Sequence, residues 1–144
     1  SLVDEANMMI AKVMAIKISG NTVLDYDGAS FSSNNIAVGR GALANNTTGD
    51  RNVAVGRDAL INNTSGNRNV AIGLNALANN IVGNGNVGIG TEALANNTGS
   101  DNVSVGNQSM KGAGGGLRNV AVGPYALFNG SNGNYKCGGS CFCI

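Results

Sequence analysis

The chain has 144 residues, enough for one ordinary domain, with 9 basic and 8 acidic residues and a net charge of +1. That balance excludes the basic stripe of a nucleic-acid binder and the polybasic segment of a protein held on an anionic membrane. With 42% hydrophobic residues the composition is not that of a disordered chain either; aromatics are only 4%, so the core must be built from Ala, Val, Ile and Leu, and one so thin needs stacking neighbours or partner chains.

Residues 1–34 carry no copy of the repeat that occupies most of the chain. Asp4 can cap a helix over Glu5 to Ile18, with Ala6, Met9, Ile10, Val13 and Met14 on one face. Ile16-Lys17-Ile18, a turn, and Val23-Leu24-Asp25-Tyr26 also read as two strands of a hairpin. The segment suits either packing onto the first repeat or attachment and trimerisation. Its start, Ser1-Leu2-Val3-Asp4-Glu5, is acidic where a signal peptide is basic. Its apolar runs are split by Lys12 and closed by Lys17, far short of the ~20 residues a bilayer span needs.

Residues 35–130 repeat one unit six times. Copies open at Asn35, Asn52, Asn69, Asn86, Asn102 and Asn119, at steps of 17 with one of 16, on the consensus N-V-A-V-G-x-x-A-L-x-N-N-T-x-G-x-x. Internal periodicity of this kind marks a solenoid, and the unit is too short for a helical pair. Strand alternation puts the two Val/Ile side chains of each V-x-V on one face, expected inside as a dry column. After each strand comes a glycine (Gly39, Gly56, Gly73, Gly90, Gly106 and Gly123), where the backbone must bend. An Ala-Leu pair then forms a second short apolar segment, read as a second strand, and Asn-Asn-Thr-x-Gly makes the turn home. Each unit is therefore one rung of an all-β parallel roll, and the six opening asparagines are expected to stack as an amide ladder. The fifth rung departs, with Ser109-Met110 for Ala-Leu and Gly112-Ala113-Gly114-Gly115-Gly116 for the turn.

Residues 131–144, SNGNYKCGGSCFCI, form a C-terminal cap holding all three cysteines, Cys137, Cys141 and Cys143. Disulfides within or between chains, a thiolate metal site, and free thiols filling a narrow tip are all compatible with this spacing; an odd count leaves one thiol over or pairs chains.

The motif N-V-A-V/I-G…A-L…N-N-T-x-G resembles the head repeats of the YadA-like trimeric autotransporter adhesins. It is closer still to repeats of bacteriophage tail fibre and tail spike proteins. The resemblance covers residues 35 to about 130. It implies a left-handed parallel β-roll of about six rungs assembled as a parallel homotrimer. The role it implies is structural display for host-surface attachment, on a virion or, alternatively, a bacterial cell surface. The chain shows no secretion signal, coiled-coil stalk, anchor barrel or C-terminal chaperone of the kinds those families carry. A virion fibre is the better fit, joined to another virion protein through the N-terminal segment, with a glycan or protein receptor whose contact residues the sequence does not reveal.

Other motifs have simpler explanations. Gly83-Asn84-Gly85-Asn86-Val87-Gly88 matches the dinucleotide-binding pattern in letters, but that site needs a strand before it and a helix after it. Sequons at Asn45, Asn62 and Asn96 are accounted for by turn chemistry. Thr47, Thr64 and Thr98, interrupted by Ile81, allow a monomeric ice- or surface-binding solenoid as a further alternative. Asp50, Asp58 and Asp101 are too irregular for a calcium roll. Without His, no ordinary general base or Cys partner exists, so no enzyme and no cofactor is expected.

Overall fold

The computed structural model describes residues 16–18, 21–24, 34–112, 114–129 and 133–139. The helix expected to begin at Glu5 falls, up to residue 15, outside the described residues, as do Cys141 and Cys143. Strands β1 (Ile16–Ile18) and β2 (Asn21–Leu24) pair antiparallel, with Lys17 opposite Thr22 and a register shift between Ile16 and Lys17.

The repeats build a parallel β-solenoid of about six turns. Its strands are β3 (Ile36–Val38), β4 (Val53–Val55), β5 (Val70–Ile72), β6 (Val87–Ile89), β7 (Val103–Val105), β8 (Val120–Val122) and β9 (Cys137–Gly139), hydrogen-bonded in chain order. Equivalent residues lie directly opposite: Ala54 faces Ala37 on one side and Ala71 on the other. The short fourth repeat loses a residue in its turn, and Val87 still pairs with Val103. At the parallel-strand spacing the sheet is roughly 30 Å tall.

The last strand lies in the segment read from sequence as a cap. Cys137 pairs with Val120 and Gly138 with Ala121, so the ladder runs one step past the sixth repeat. Lys136 stands where the other rungs have Asn, and its backbone N–H still donates to Asn119 Oδ1 at 2.7 Å. Pairing of a parallel strand is a backbone property, so it outlasts the consensus side chains.

The expected dry column of Val and Ile inside the rung is reversed. In β4, β5 and β6 it is the middle residue, Ala54, Ala71 or Gly88, that is buried, and the flanking Val and Ile are partly exposed. The inward side of the sheet faces Leu43, Leu60, Leu77, Leu94 and Met110, all essentially buried. Those long side chains fill the narrow lumen, leaving room opposite them only for Ala, Gly or Ser. A Cβ built on Gly88 would already stand 3.2 Å from Leu77 Cγ.

The Ala-Leu segment is not a second strand. Leu43, Leu60, Leu77, Leu94, Met110 and Leu127 all have φ near +50°, a left-handed conformation that costs an L residue about 1–2 kcal/mol. Burying the side chain offsets it, at ~1.5–3 kcal/mol for a Leu. The segment still joins its neighbours: Leu60 N–H donates to Ala76 O and Leu77 N–H to Ala93 O, both at 3.0 Å.

The other half of the interior is polar. Asn52, Asn69, Asn86 and Asn102 are fully buried, and so are Asn63, Asn80 and Asn97 from the turn. No buried side-chain N or O among the described residues lacks a hydrogen-bond partner.

Candidate functional site

The opening asparagines stack in a column along the solenoid. Asn69 donates its backbone N–H to Asn52 Oδ1 (2.9 Å) and its Nδ2 to Gly83 O (2.8 Å). Asn86, Asn102 and Asn119 make the same backbone donation to Asn69, Asn86 and Asn102. At the first rung, Asn35 Oδ1 accepts the Asn52 N–H. A second buried ladder, missed from sequence, runs beside it: Asn63 Nδ2 reaches Asn46 Oδ1 at 2.8 Å and Asn80 Nδ2 reaches Asn63 Oδ1 at 3.1 Å. In the first four repeats the Asn-Asn pair thus places its second Asn inside and its first outside. The recurring pair was the available signal, since a turn alone rarely needs two asparagines.

The bend glycines form a column with φ between +122° and +133°. At Gly73 a Cβ would lie 2.5 Å from Gly90 O, so both conformation and space require glycine. These residues and the buried ladders maintain the scaffold and offer nothing to a ligand.

Three surfaces remain. The first is the outer side of the sheet, where each of β3 to β8 presents two β-branched residues. Ile36, Ile72, Ile89 and Val120 are the most open, with Ile72 39% exposed. The result is a continuous apolar face on the tallest element of the molecule. Its two borders are mostly polar or small: Arg40, Arg57, Leu74, Thr91, Asn107 and Pro124 just beyond the bend glycine, and Arg51, Arg68, Gly85, Asp101, Arg118 and Tyr135 near the start of the next rung.

A second surface carries the first Asn of each turn. Asn45 Nδ2 donates to Asn62 Oδ1 (3.2 Å), Asn62 to Asn79 (3.0 Å) and Asn79 to Asn96 (2.8 Å). The ladder stops where Gly112 replaces Asn. These are also the sequon asparagines, at Asn45, Asn62 and Asn96. The hydroxyls of Thr47 and Thr64 are turned onto the backbone oxygens of Thr64 and Ile81 at 2.9 and 3.2 Å.

The third surface lies at rungs four to six. Glu92 Oε2 accepts from Gln108 Nε2 (2.5 Å) and Lys111 Nζ (2.8 Å). The Lys111 hydrogen bond holds the Glu92 carboxyl below its ordinary range, helped by Gln108 and opposed by desolvation. Further on, Tyr125 and Phe128 meet at 5.8 Å between ring centroids. Arg118 lies 5.6 Å over the Tyr135 ring and donates to its hydroxyl.

Cys137 is disulfide-bonded, to a partner outside the described residues. Among the described residues no cluster of His, Cys, Asp or Glu could hold a metal ion, and no helix is long and apolar enough to cross a membrane. The Gly83–Gly88 stretch forms a rung turn leading into strand β6, with no helix after it. Asp50 accepts the Asn34 N–H and Asp58 pairs with Arg57.

The architecture defines a repeat protein of the β-solenoid class. Beyond that class, the chain matches no protein-family model, no curated protein and no solved structure.

Proposed function

We propose that this chain is a non-catalytic structural fibre protein of a virion, three copies of which pack in parallel through their outer sheet faces to form a left-handed trimeric roll for host attachment. The observation that carries this reading is the β-branched face of strands β3 to β8. Val and Ile alternate there with buried Ala, Gly or Ser, so the apolar residues are repeated outward six strands deep. Solubility alone would favour polar residues at those positions, and exposed apolar patches of this continuity mark interaction sites. Three copies around an axis close the surface without leaving a free face, as a heterologous ring contact does. Identical rungs keep the copies in register.

A bacterial adhesin head would use the same trimer and differ only in what it is joined to. The lone ice- or surface-binding solenoid is less well supported, because Thr47 and Thr64 spend their hydroxyls on the adjoining rung and Ile81 breaks the row. The test is the mass in solution by light scattering, with and without reductant. Three times the chain mass in both conditions supports the fibre; a monomer in both overturns it.

A further inference from the structure

Charge and aromatic residues are distributed unevenly along the chain. Residues 1–34 carry four acidic and two basic side chains, residues 35–101 four of each, and residues 102–144 three basic and no acidic ones. Arg51 stands 3.4 Å from Asp50, Arg57 3.1 Å from Asp58 and Lys111 2.8 Å from Glu92, while Arg40 and Arg68 make no ion pair among the described residues. Arg118 makes no ion pair among the described residues, although Asp101 stands one rung before it in the same column, and its guanidinium lies over the Tyr135 ring. No aromatic residue occurs between Asn34 and Tyr125, whereas Tyr125 is 57% and Tyr135 70% exposed. Exposed Tyr beside Arg is the composition of binding hot spots.

Tyr125 comes after the bend that ends β8, and Arg118 and Tyr135 lie just before the starts of β8 and β9, so they sit on opposite borders of the apolar face. In a ring of copies joined through that face, one border of each copy meets the other border of its neighbour. We propose that each seam at the C-terminal rungs, between Tyr125 of one copy and Arg118 and Tyr135 of the next, binds an acidic polysaccharide. This inference rests on the trimeric reading above and names the ligand class for it.

The residues set the ligand chemistry. A guanidinium fixed by a ring and a hydroxyl offers its remaining N–H groups as a planar fork to a carboxylate or sulfate. The two tyrosines offer flat faces with polar tips, suited to the C–H faces and hydroxyls of sugar rings. An acidic peptide would gain most by adding a strand to an open sheet edge. Strands β7 and β8 are already paired on both sides, so of these rungs only β9, paired with β8 alone among the described residues, could take such a strand, and that edge holds neither Arg118 nor Tyr125.

The experiment measures binding of the full chain to immobilised polysialic acid and heparin, with neutral dextran and poly-L-glutamate as comparisons and the mass of every variant read in parallel. At least one acidic polysaccharide should bind, more weakly as salt rises, while dextran does not. R118Q should weaken it at least about tenfold, the worth of one charge-assisted hydrogen bond, and Y125A at least about threefold, through the lost ring face. R40Q, at the far end of the rod, should change it less than about twofold, as befits a remote site. An intact trimer that binds neither acidic polysaccharide overturns the ligand and leaves the fibre reading standing. Equal losses in R40Q and R118Q would show general charge attraction, and equal binding of poly-L-glutamate would show that sugar is not recognised; either overturns the proposal. A monomeric wild-type chain would remove the seam together with the trimer.

Discussion

Asn52 and Asn69, one rung apart, share a single oxygen: Asn52 Oδ1 accepts the backbone N–H of Asn69 at 2.9 Å and its Nδ2 at 3.1 Å. Both residues are fully buried. The side chain of one rung thereby satisfies the backbone of the next, and Asn69 repeats the arrangement for Asn86. A carboxamide suits this position because it carries donor and acceptor together and no charge.

Asn69→Ala should therefore be severely destabilising. It strands the buried Asn86 N–H, at a cost of ~1–3 kcal/mol, and removes one of the two donors to Gly83 O, which keeps Asn80 Nδ2 at 3.0 Å. Chemical denaturation should show a loss of about 2–4 kcal/mol relative to the parent chain. An effect under about 1 kcal/mol would mean that water replaces the amide.

Gly73→Ala should fail for a different reason. The backbone there has φ of +133° and the new Cβ would meet Gly90 O at 2.5 Å. The strain alone is worth ~1–3 kcal/mol, and the overlap adds to it, so the melting temperature should fall steeply. Gly115→Ala is the control, since a Cβ there approaches only Thr98 Oγ1, at 3.6 Å.

Ile72→Lys separates folding from assembly. Ile72 is on the outer face and partly exposed, so the lone rung should lose no more than about 0.5 kcal/mol, as at ordinary surface positions. In a trimer three lysines would meet in an apolar contact. Light scattering should show the mass drop to that of one chain while the β-sheet circular dichroism signal persists. A variant that stays trimeric would place the contact elsewhere.

The Glu92–Lys111 pair predicts an acid-side effect. Its folded-state carboxyl sits below the ordinary value of 4.5, first through the Lys111 hydrogen bond. The stabilisation is therefore complete above that value and is lost as pH falls through the lower folded value. Thermal stability of the parent and of Glu92→Gln should differ by a constant amount near neutrality and converge below about pH 4.5. The difference will be small, because both side chains are partly exposed, at 30% for Lys111 and 25% for Glu92. A gap that widens on acidification would contradict the assignment.

Reduction should act only at the C-terminal end. Cys137 belongs to β9, the last strand, and Cys141 and Cys143 come within a few residues of it in sequence. A disulfide closing so short a loop within one chain removes little denatured-state entropy. Reductant should shift the melting temperature only slightly and speed amide exchange at β9 ahead of β4 to β7. A large loss of stability or mass would place the disulfide between chains.

The period and the all-β architecture were legible in the sequence because both are local. Every rung repeats the same short strand, bend glycine and turn, and strands offset by a constant number of residues can only stack in parallel. Alternation in V-x-V likewise separates two faces unambiguously. It does not say which face is inward. That was decided by the lumen, where Leu60 and Leu77 adopt left-handed conformations and fill the space opposite Ala54 and Ala71. Leucine in that conformation is contrary to its local preference, so no propensity would have placed it there. Nor did composition distinguish Asn62, on the surface, from Asn63, wholly buried beside it. Backbone hydrogen bonding carried the sheet on to Cys137, past the last consensus residue. Sequence determined the repeating unit; packing in three dimensions decided which side of it became core and which was left facing outward, because burial depends on the room that neighbouring rungs leave.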